Sequence, residues 1–392
     1  MKKKILFIME SLGIGGAEKS LVTILSMLNP EEYDIDLFLF RGNGEFMPLV
    51  PEWVNILPLD EDAEIFKENF KTAWINYLLK ADFKRSYNSL MWLIGCVYTK
   101  VIKKKEYVGW KWIKKIYNKL STKYDTAVGF LEKKTIYFCV DLVQANKKIG
   151  FIHTNYEKIE NDVAMDKKYF ENINNILAVS LNSKSVLERV FPEYKNKIGY
   201  IKNMVSPIII KEMANEEVDL YKDKKDTYVC TVGRLVEAKG IDIAVDICND
   251  LIKKGYNIKW GVCGDGDDRV KLEKKIKEYN LEDNFILLGS QTNPYKYMNL
   301  CDIYVQPSRY EGYGITVAEA KVLCKPIIAS DIPEFREQLI NDETGILCKT
   351  KDDFVKEIEH LINNEKFKKQ MQKNLKKTRC DMEELKKLKE IL

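Results

Sequence analysis

Short apolar runs bounded by turn residues alternate with longer segments of helical period, and the chain does this twice over. The first series contains the runs Lys4–Met9, Ile35–Phe40, Thr126–Leu131, Lys148–His153 and Asn175–Val179. The second contains Tyr228–Val232, Ile258–Cys263, Phe285–Leu288, Ile303–Gln306 and Pro326–Ala329. Runs this short and this apolar suit strands covered on both faces. Helical crossovers between them are what a parallel sheet requires. Each series also opens in the same way, with a strand followed by a glycine turn.

The expected fold class is therefore α/β: two facing Rossmann-like domains, with a ligand crevice at the carboxyl ends of their sheets. A length of 392 residues suits two such cores better than one. Residues 1–207 are read as the first domain, with Asn203-Met204-Val205-Ser206-Pro207 as a closing turn. Residues 208–375 form the second domain and 376–392 a C-terminal helix. The polar stretch 211–226 (KEMANEEVDLYKDKKD) reads as the linker. The N-terminal run is short and leads straight into a glycine turn, so it reads as a strand and not a signal peptide. No stretch is long and apolar enough to predict a transmembrane helix. Nine cysteines, all single and several in apolar runs, point to core thiols in a reducing, cytoplasmic setting.

Several segments could carry chemistry. Gly13-Ile14-Gly15-Gly16 stands between a strand and a helix, where free amides favour an anion. It is not a dinucleotide or nucleotide-triphosphatase loop, and a plain strand–helix turn is the alternative. Gly233-Arg234-Leu235-Val236-Glu237-Ala238-Lys239-Gly240 places two cations after a strand. There Arg234 and Lys239 can converge on a diphosphate, or else form a solvated basic loop. Ser308-Arg309-Tyr310-Glu311-Gly312-Tyr313-Gly314-Ile315-Thr316-Val317-Ala318-Glu319-Ala320 leads from a strand through two glycines into a helix. Its amides suit phosphate oxygens, and Glu311 and Glu319 can reach different hydroxyls of one extended ligand. His153 ends a strand, and is either a sugar contact or a satisfied core histidine; His360, in a charged helix, reads as surface. Asp34-Ile35-Asp36 has a D-x-D spacing but lies in an alternating strand start near the N-terminus, and Asp265-Gly266-Asp267-Asp268 lacks calcium-loop spacing, so no metal is expected at either.

Together these residues resemble the retaining glycosyltransferases of family four, which have the GT-B fold. The resemblance rests on GGAEKS, the histidine in FIHTN, KNMVSP, GRLVEAKG, GDGDD and, most specifically, SRYEGYGITVAEA. It implies a hexosyltransferase that takes its sugar from a nucleotide diphosphate, UDP by family frequency. The acceptor would be a saccharide, free or lipid-linked, in surface (capsular) polysaccharide synthesis, and no cofactor or metal would be needed. Gly15 and Gly16 would approach the donor, and Asn203, Gly233 and Gly264 would add contacts. Arg234 and Lys239 would neutralise the leaving diphosphate, and Glu311 would address the sugar. Gly312, Tyr313, Gly314 and Ile315 would meet the distal phosphate, Glu319 the ribose, and His153 the sugar near the reacting carbon. The chain departs from the family at Met204, where glycine is common, and at Ser330–Glu337, which lacks a double glycine. A nucleotide-sugar epimerase and a non-catalytic, membrane-associated sugar-nucleotide binding protein are the competing readings.

Residues 67–123 stand apart. Fourteen basic residues oppose three acidic ones, a local +11 in a chain of net +4, and Trp74, Trp92, Trp110 and Trp112 lie among them. Such a segment fits either an anionic membrane surface on the inner leaflet or a helix pair with core aromatics and solvated lysines. Nothing in it suggests nucleic acid.

Overall fold

A computed structural model describes residues 2–59, 71–102, 107–159, 161–218, 225–378 and 383–392. The chain divides into two compact units, Met1–Lys202 with Glu384–Leu392, and Asn203–Glu383.

The first unit runs β1 (Lys3–Met9), α1 (Gly16–Met27), β2 (Tyr33–Leu39), β3 (Asn55–Ile56), α2 (Ala73–Leu79), α3 (Phe83–Ile102) and α4 (Tyr107–Ile113). It continues with β4 (Lys123–Gly129), α5 (Lys134–Leu142), β5 (Gln144–Ile152), α6 (Val163–Phe170), β6 (Asn175–Ala178), α7 (Leu181–Val190) and β7 (Ile198–Tyr200). Its seven strands are parallel in the order β3-β2-β1-β4-β5-β6-β7. The interior strand β1 is buried from Ile5 to Met9, which explains why both of its faces are apolar.

The second unit begins with α8 (Pro207–Ala214), β8 (Thr227–Val232), α9 (Ile241–Lys253), β9 (Ile258–Cys263), α10 (Arg269–Glu278), β10 (Phe285–Leu287), α11 (Tyr295–Leu300) and β11 (Ile303–Gln306). Then follow α12 (Ile315–Val322), β12 (Ile327–Ser330), α13 (Pro333–Arg336), β13 (Ile346–Cys348), α14 (Lys351–Asn363) and α15 (Glu365–Lys377). Its sheet has the order β10-β9-β8-β11-β12-β13, again all parallel. Both sheets therefore reverse direction once, between β1 and β4 and between β8 and β11. Open α/β sheets bind ligands beyond the strand ends at that point. The two Rossmann-like units expected from the sequence are present.

Three details differ from the sequence reading. Residues 207–214, partly assigned to a linker, form helix α8. The Ser206 hydroxyl accepts from the Ile209 amide at 3.4 Å, Pro207 takes the first helical position, and Ile210 and Ala214 enter the second unit's core. The unit boundary accordingly falls before Asn203 and not after Pro207; residues 219–224 of the expected linker lie outside the described residues. The short strands β3, β7 and β13 were not expected.

Most unexpected is the last helix, α16 (Glu383–Ile391), which returns to the first unit. The Thr126 hydroxyl donates to the Leu392 carbonyl at 2.8 Å and the Lys147 ammonium to the Ile391 carbonyl at 2.5 Å. At the other end Glu384 accepts from the Lys202 amide at 3.0 Å, while Leu385 and Leu388 are buried. Cys139, Cys230, Cys248, Cys263, Cys301 and Cys348 are buried free thiols, and Cys324 is a half-buried one. Among the described residues no helix is long and apolar enough to cross a membrane. Leu388→Ala is expected to lower the stability of the first unit by about 2–5 kcal/mol in urea unfolding. An unchanged transition would mean that α16 contributes nothing to that unit.

Candidate functional site

In the second unit, the loops that leave β8, β9 and β11 are fastened to one another. The Gly233 amide donates to the Cys263 carbonyl at 3.0 Å, the Leu235 amide to Asp265 at 3.0 Å and the Asp268 amide to Leu235 at 3.0 Å. A Cβ at Gly264 would come within 1.9 Å of the Gly233 carbonyl oxygen, so only glycine lets the two loops approach this closely. Arg309 ties the third loop to the first. Its guanidinium donates to both oxygens of Asp242 at 2.7 Å and to the Glu237 carbonyl at 2.8 Å, and its amide bonds Ala238 at 2.8 Å. Burial opposes ionisation of Asp242, but the Arg309 guanidinium outweighs it and holds the carboxyl below its ordinary range.

On this platform Lys239 and Glu311 form an ion pair at 2.5 Å. Glu311 is 6% exposed and the Lys239 side chain 20% exposed, so each charge compensates the other where neither could stand alone. The Ser308 hydroxyl donates to the other oxygen of Glu311 at 2.8 Å and accepts from Gln306 at 2.9 Å. Arg234, by contrast, is exposed and has no ion pair among the described residues. The sequence reading gave Lys239 to a phosphate and Glu311 to a sugar. The structure joins the two and leaves Arg234 as the cation presented to solvent.

Helix α12 starts at Gly314, whose φ of +81° suits glycine; a Cβ there would strike the Phe335 ring at 2.4 Å. The first amides of a helix, here from Ile315, have no intrahelical acceptor and present positive potential. The Gln338 carboxamide donates to the Tyr313 carbonyl at 2.5 Å and the Gly314 carbonyl at 3.4 Å, which fixes the two peptides leading into that helix start. Glu319, in the same helix, is 1% exposed and accepts from the Tyr295 phenol at 2.8 Å. Burial first, and then the charge of Glu319, push the Tyr295 phenol well above its ordinary pKa.

In the first unit, Gly15 precedes α1 and Gly16 opens it. The carboxylate of Glu18 folds back over Gly15: a Cβ there would lie 2.1 Å from Glu18 Oε2. The helix start expected to receive an external anion thus has an internal one beside it. His153 follows β5, its amide donating to Glu132 at 3.0 Å, and its ring lies 4.9 Å from Phe130 and 5.8 Å from Phe151. Both ring nitrogens are shielded from water and have no hydrogen-bond partner among the described residues. Burial pushes the imidazole pKa down to about 3, so the ring is neutral at ordinary pH. Asn203 is half-buried and precedes the α8 cap. Asp36 is committed to Lys4 at 3.0 Å, Asn55 at 2.7 Å and Tyr124 at 2.8 Å, a knot that holds the sheet edge. Asp265 accepts from the Gly266 amide at 2.8 Å and pairs with Arg269 at 3.3 Å.

Sequence reasoning missed the supports of this site. Ser308, Gln338, Phe335 and Tyr295 act through other residues, and only Ser308 lies inside a recognised motif. Gln338 ends the polar run Arg336-Glu337-Gln338, and nothing in the string singles it out from its neighbours.

Residues 213–378 match the family model described as Glycosyl transferases group 1. An uncharacterized glycosyltransferase of Methanocaldococcus jannaschii is 31% identical over 195 residues, 49% of this chain and 47% of that protein. The poly(ribitol-phosphate) alpha-N-acetylglucosaminyltransferase of Staphylococcus aureus is 28% identical over 227 residues, 56% of this chain and 44% of its own length. The chain thus spans about half the length of these curated relatives. Among solved structures, Anabaena HepE in complex with UDP and glucose superposes with a TM-score of 0.70 at 16% identity, covering 99% of this chain and 98% of that one. At that identity the likeness concerns the fold, and it covers both units.

The neutral state of His153 has a measurable consequence. Its folded pKa of about 3 lies below the unfolded value of about 6.5, so the unfolded chain binds the extra proton as pH falls. The stability associated with the neutral ring is whole above about pH 6.5 and is lost below it, by at most about 1.4 kcal/mol per pH unit. Urea unfolding at neutral and mildly acidic pH should show His153→Phe losing less stability than the parent chain. Equal losses would show that the ring is not held neutral.

Proposed function

We propose that the chain is a nucleotide-sugar-dependent glycosyltransferase. It moves a hexose from UDP, with retention of configuration, to a saccharide acceptor in surface polysaccharide synthesis. The carrying observation is the second unit's arrangement at its sheet switch point: exposed Arg234, the Lys239–Glu311 pair and the α12 helix start, all on loops that fasten one another. The match of residues 213–378 to a glycosyltransferase family model supports the same reading. So do relatives named as glycosyltransferases and a structural neighbour that holds UDP and glucose.

The chemistry follows from where charge develops. As the bond from the sugar to the diphosphate breaks, the leaving oxygen gains negative charge and the ring becomes oxocarbenium-like. Arg234, Lys239 and the α12 amides stabilise that charge more in the transition state than in the ground state. Glu311, positioned by Lys239 and Ser308, addresses the sugar hydroxyls, and Glu319, positioned by Tyr295, the ribose. His153 supplies a neutral imidazole to the sugar. The acceptor hydroxyl attacks from the face the diphosphate leaves, and no side chain is assigned as a covalent nucleophile. Because cationic side chains and helix amides carry the diphosphate charge, the reading requires no metal. A lipid-linked acceptor would place the enzyme at the inner leaflet, in contact with anionic lipid.

Thermal shifts with UDP, GDP and ADP, each with and without magnesium, test the donor. At about 100 times its dissociation constant UDP adds roughly 2.7 kcal/mol, a shift of a degree or more that magnesium should not change. No shift with any diphosphate would remove the assignment of Arg234 and Lys239. Glu311→Gln should lower turnover of a UDP-hexose by about 100-fold or more while UDP affinity holds. Undiminished turnover would remove Glu311 from the chemistry, and absence of any turnover in the parent chain would favour a binding protein.

A further inference from the structure

Helices α2 and α3 of the first unit carry an apolar face open to solvent. Leu79 is 80% exposed, Phe83 69%, Tyr87 55%, Leu90 37% and Ile94 50%. From Phe83 onward the spacing is four, three and four residues. At about 100° per residue, this sets the four side chains within roughly 60° of one line along α3. The rest of the helix is already committed: beside the stripe Ser86 donates to the Trp74 carbonyl at 2.6 Å, and on the far side Arg85 pairs with Asp82 at 2.8 Å and bonds the Ile116 carbonyl at 3.2 Å. A contiguous apolar stripe of this kind marks a docking surface.

Its surroundings identify the partner. Exposed Lys80 and Lys84 flank the stripe, and Trp112 packs edge-on against Tyr87 at 5.9 Å. Lys111 and Lys115 lie 5.4 and 5.0 Å from the Trp112 ring. In the sequence, residues 67–123 have net charge +11, and 67–70 and 103–106 among them lie outside the described residues. A second copy docking through this face would set Lys80, Lys84, Lys111 and Lys115 against their own copies, and a zwitterionic surface would leave these lysines unanswered. An anionic bilayer satisfies both the stripe and the charge. No described helix can cross a membrane, so contact is confined to the interface.

We propose that this stripe inserts into the surface of an anionic bilayer, with Phe83, Tyr87 and Ile94 entering the acyl boundary while Lys80 and Lys84 meet lipid phosphates. The proposal gives the lipid-linked part of the functional reading a defined surface, and it is tested independently of the donor. The full chain is floated with phosphatidylcholine vesicles with or without ~30% phosphatidylglycerol. The parent chain should bind the anionic vesicles at least about tenfold better than the neutral ones. Phe83→Ser/Ile94→Ser should weaken that binding about tenfold, and Lys80→Gln/Lys84→Gln by a similar factor that vanishes at high salt. The UDP thermal shift on the same samples verifies folding and separates the two readings. An intact UDP shift with no preference for anionic vesicles overturns the docking proposal alone, whereas anionic binding without a UDP shift overturns only the donor assignment. A dimer by light scattering that Phe83→Ser/Ile94→Ser dissociates would assign the stripe to a second copy and likewise overturn the proposal. If the serine variant does not fold, the parent comparison and the lysine variant decide.

Discussion

The close passage of Gly233 and Gly264 is the contact on which the rest of the second unit's site depends. Two parallel strands end side by side, and their loops can share hydrogen bonds only where no side chain intervenes. Once joined, they form a floor to which Arg309 anchors the loop after β11 through Asp242 and Glu237. That anchoring sets Glu311 where Lys239 can reach it. Without it Glu311, nearly buried, would carry its charge with no cation beside it. A backbone constraint in one place thus determines the electrostatics in another.

Within that frame the cations differ in kind. Lys239 is a point charge already neutralised by a carboxylate, so an incoming anion must share it with Glu311. Arg234 is unshared, and its planar fork suits two oxygens at once. The α12 start adds a third source of positive potential that cannot move, since Gln338 and Phe335 hold its entry. Such an array needs little reorganisation when charge appears, which is where electrostatic stabilisation is most effective.

Strands buried on both faces were legible almost to the residue: Ile258–Cys263 and Ile303–Gln306 coincide with β9 and β11. Periodicity is strongest where both faces are apolar. Two- and three-residue strands such as β3 and β7 carry too few side chains to show a pattern. Helix α8 straddles the apolar Pro207–Ile210 and the start of the charged stretch read as a linker, which hid it, although Ser206 and Pro207 together spell a helix start. The docking of α16 on the first unit depends on contacts hundreds of residues away in sequence, and no local pattern reports them. At the site, the residue types that bind anions could be read from the string. That Lys239 would spend its charge on Glu311, and that Glu18 would fold over Gly15, could not, because pairing is decided by three-dimensional proximity.

The return of α16 also orders events during synthesis. Thr126 and its partner Leu392 are separated by 266 positions, and everything in the second unit is translated between them. While that stretch emerges from the ribosome, the first unit exists without its last helix, and the surface that later covers Leu385 and Leu388 lies open. The second unit has every strand and helix it needs earlier. The half of the chain made first is therefore the half finished last, and a nascent chain stalled before α16 would present an unfinished apolar surface to chaperones.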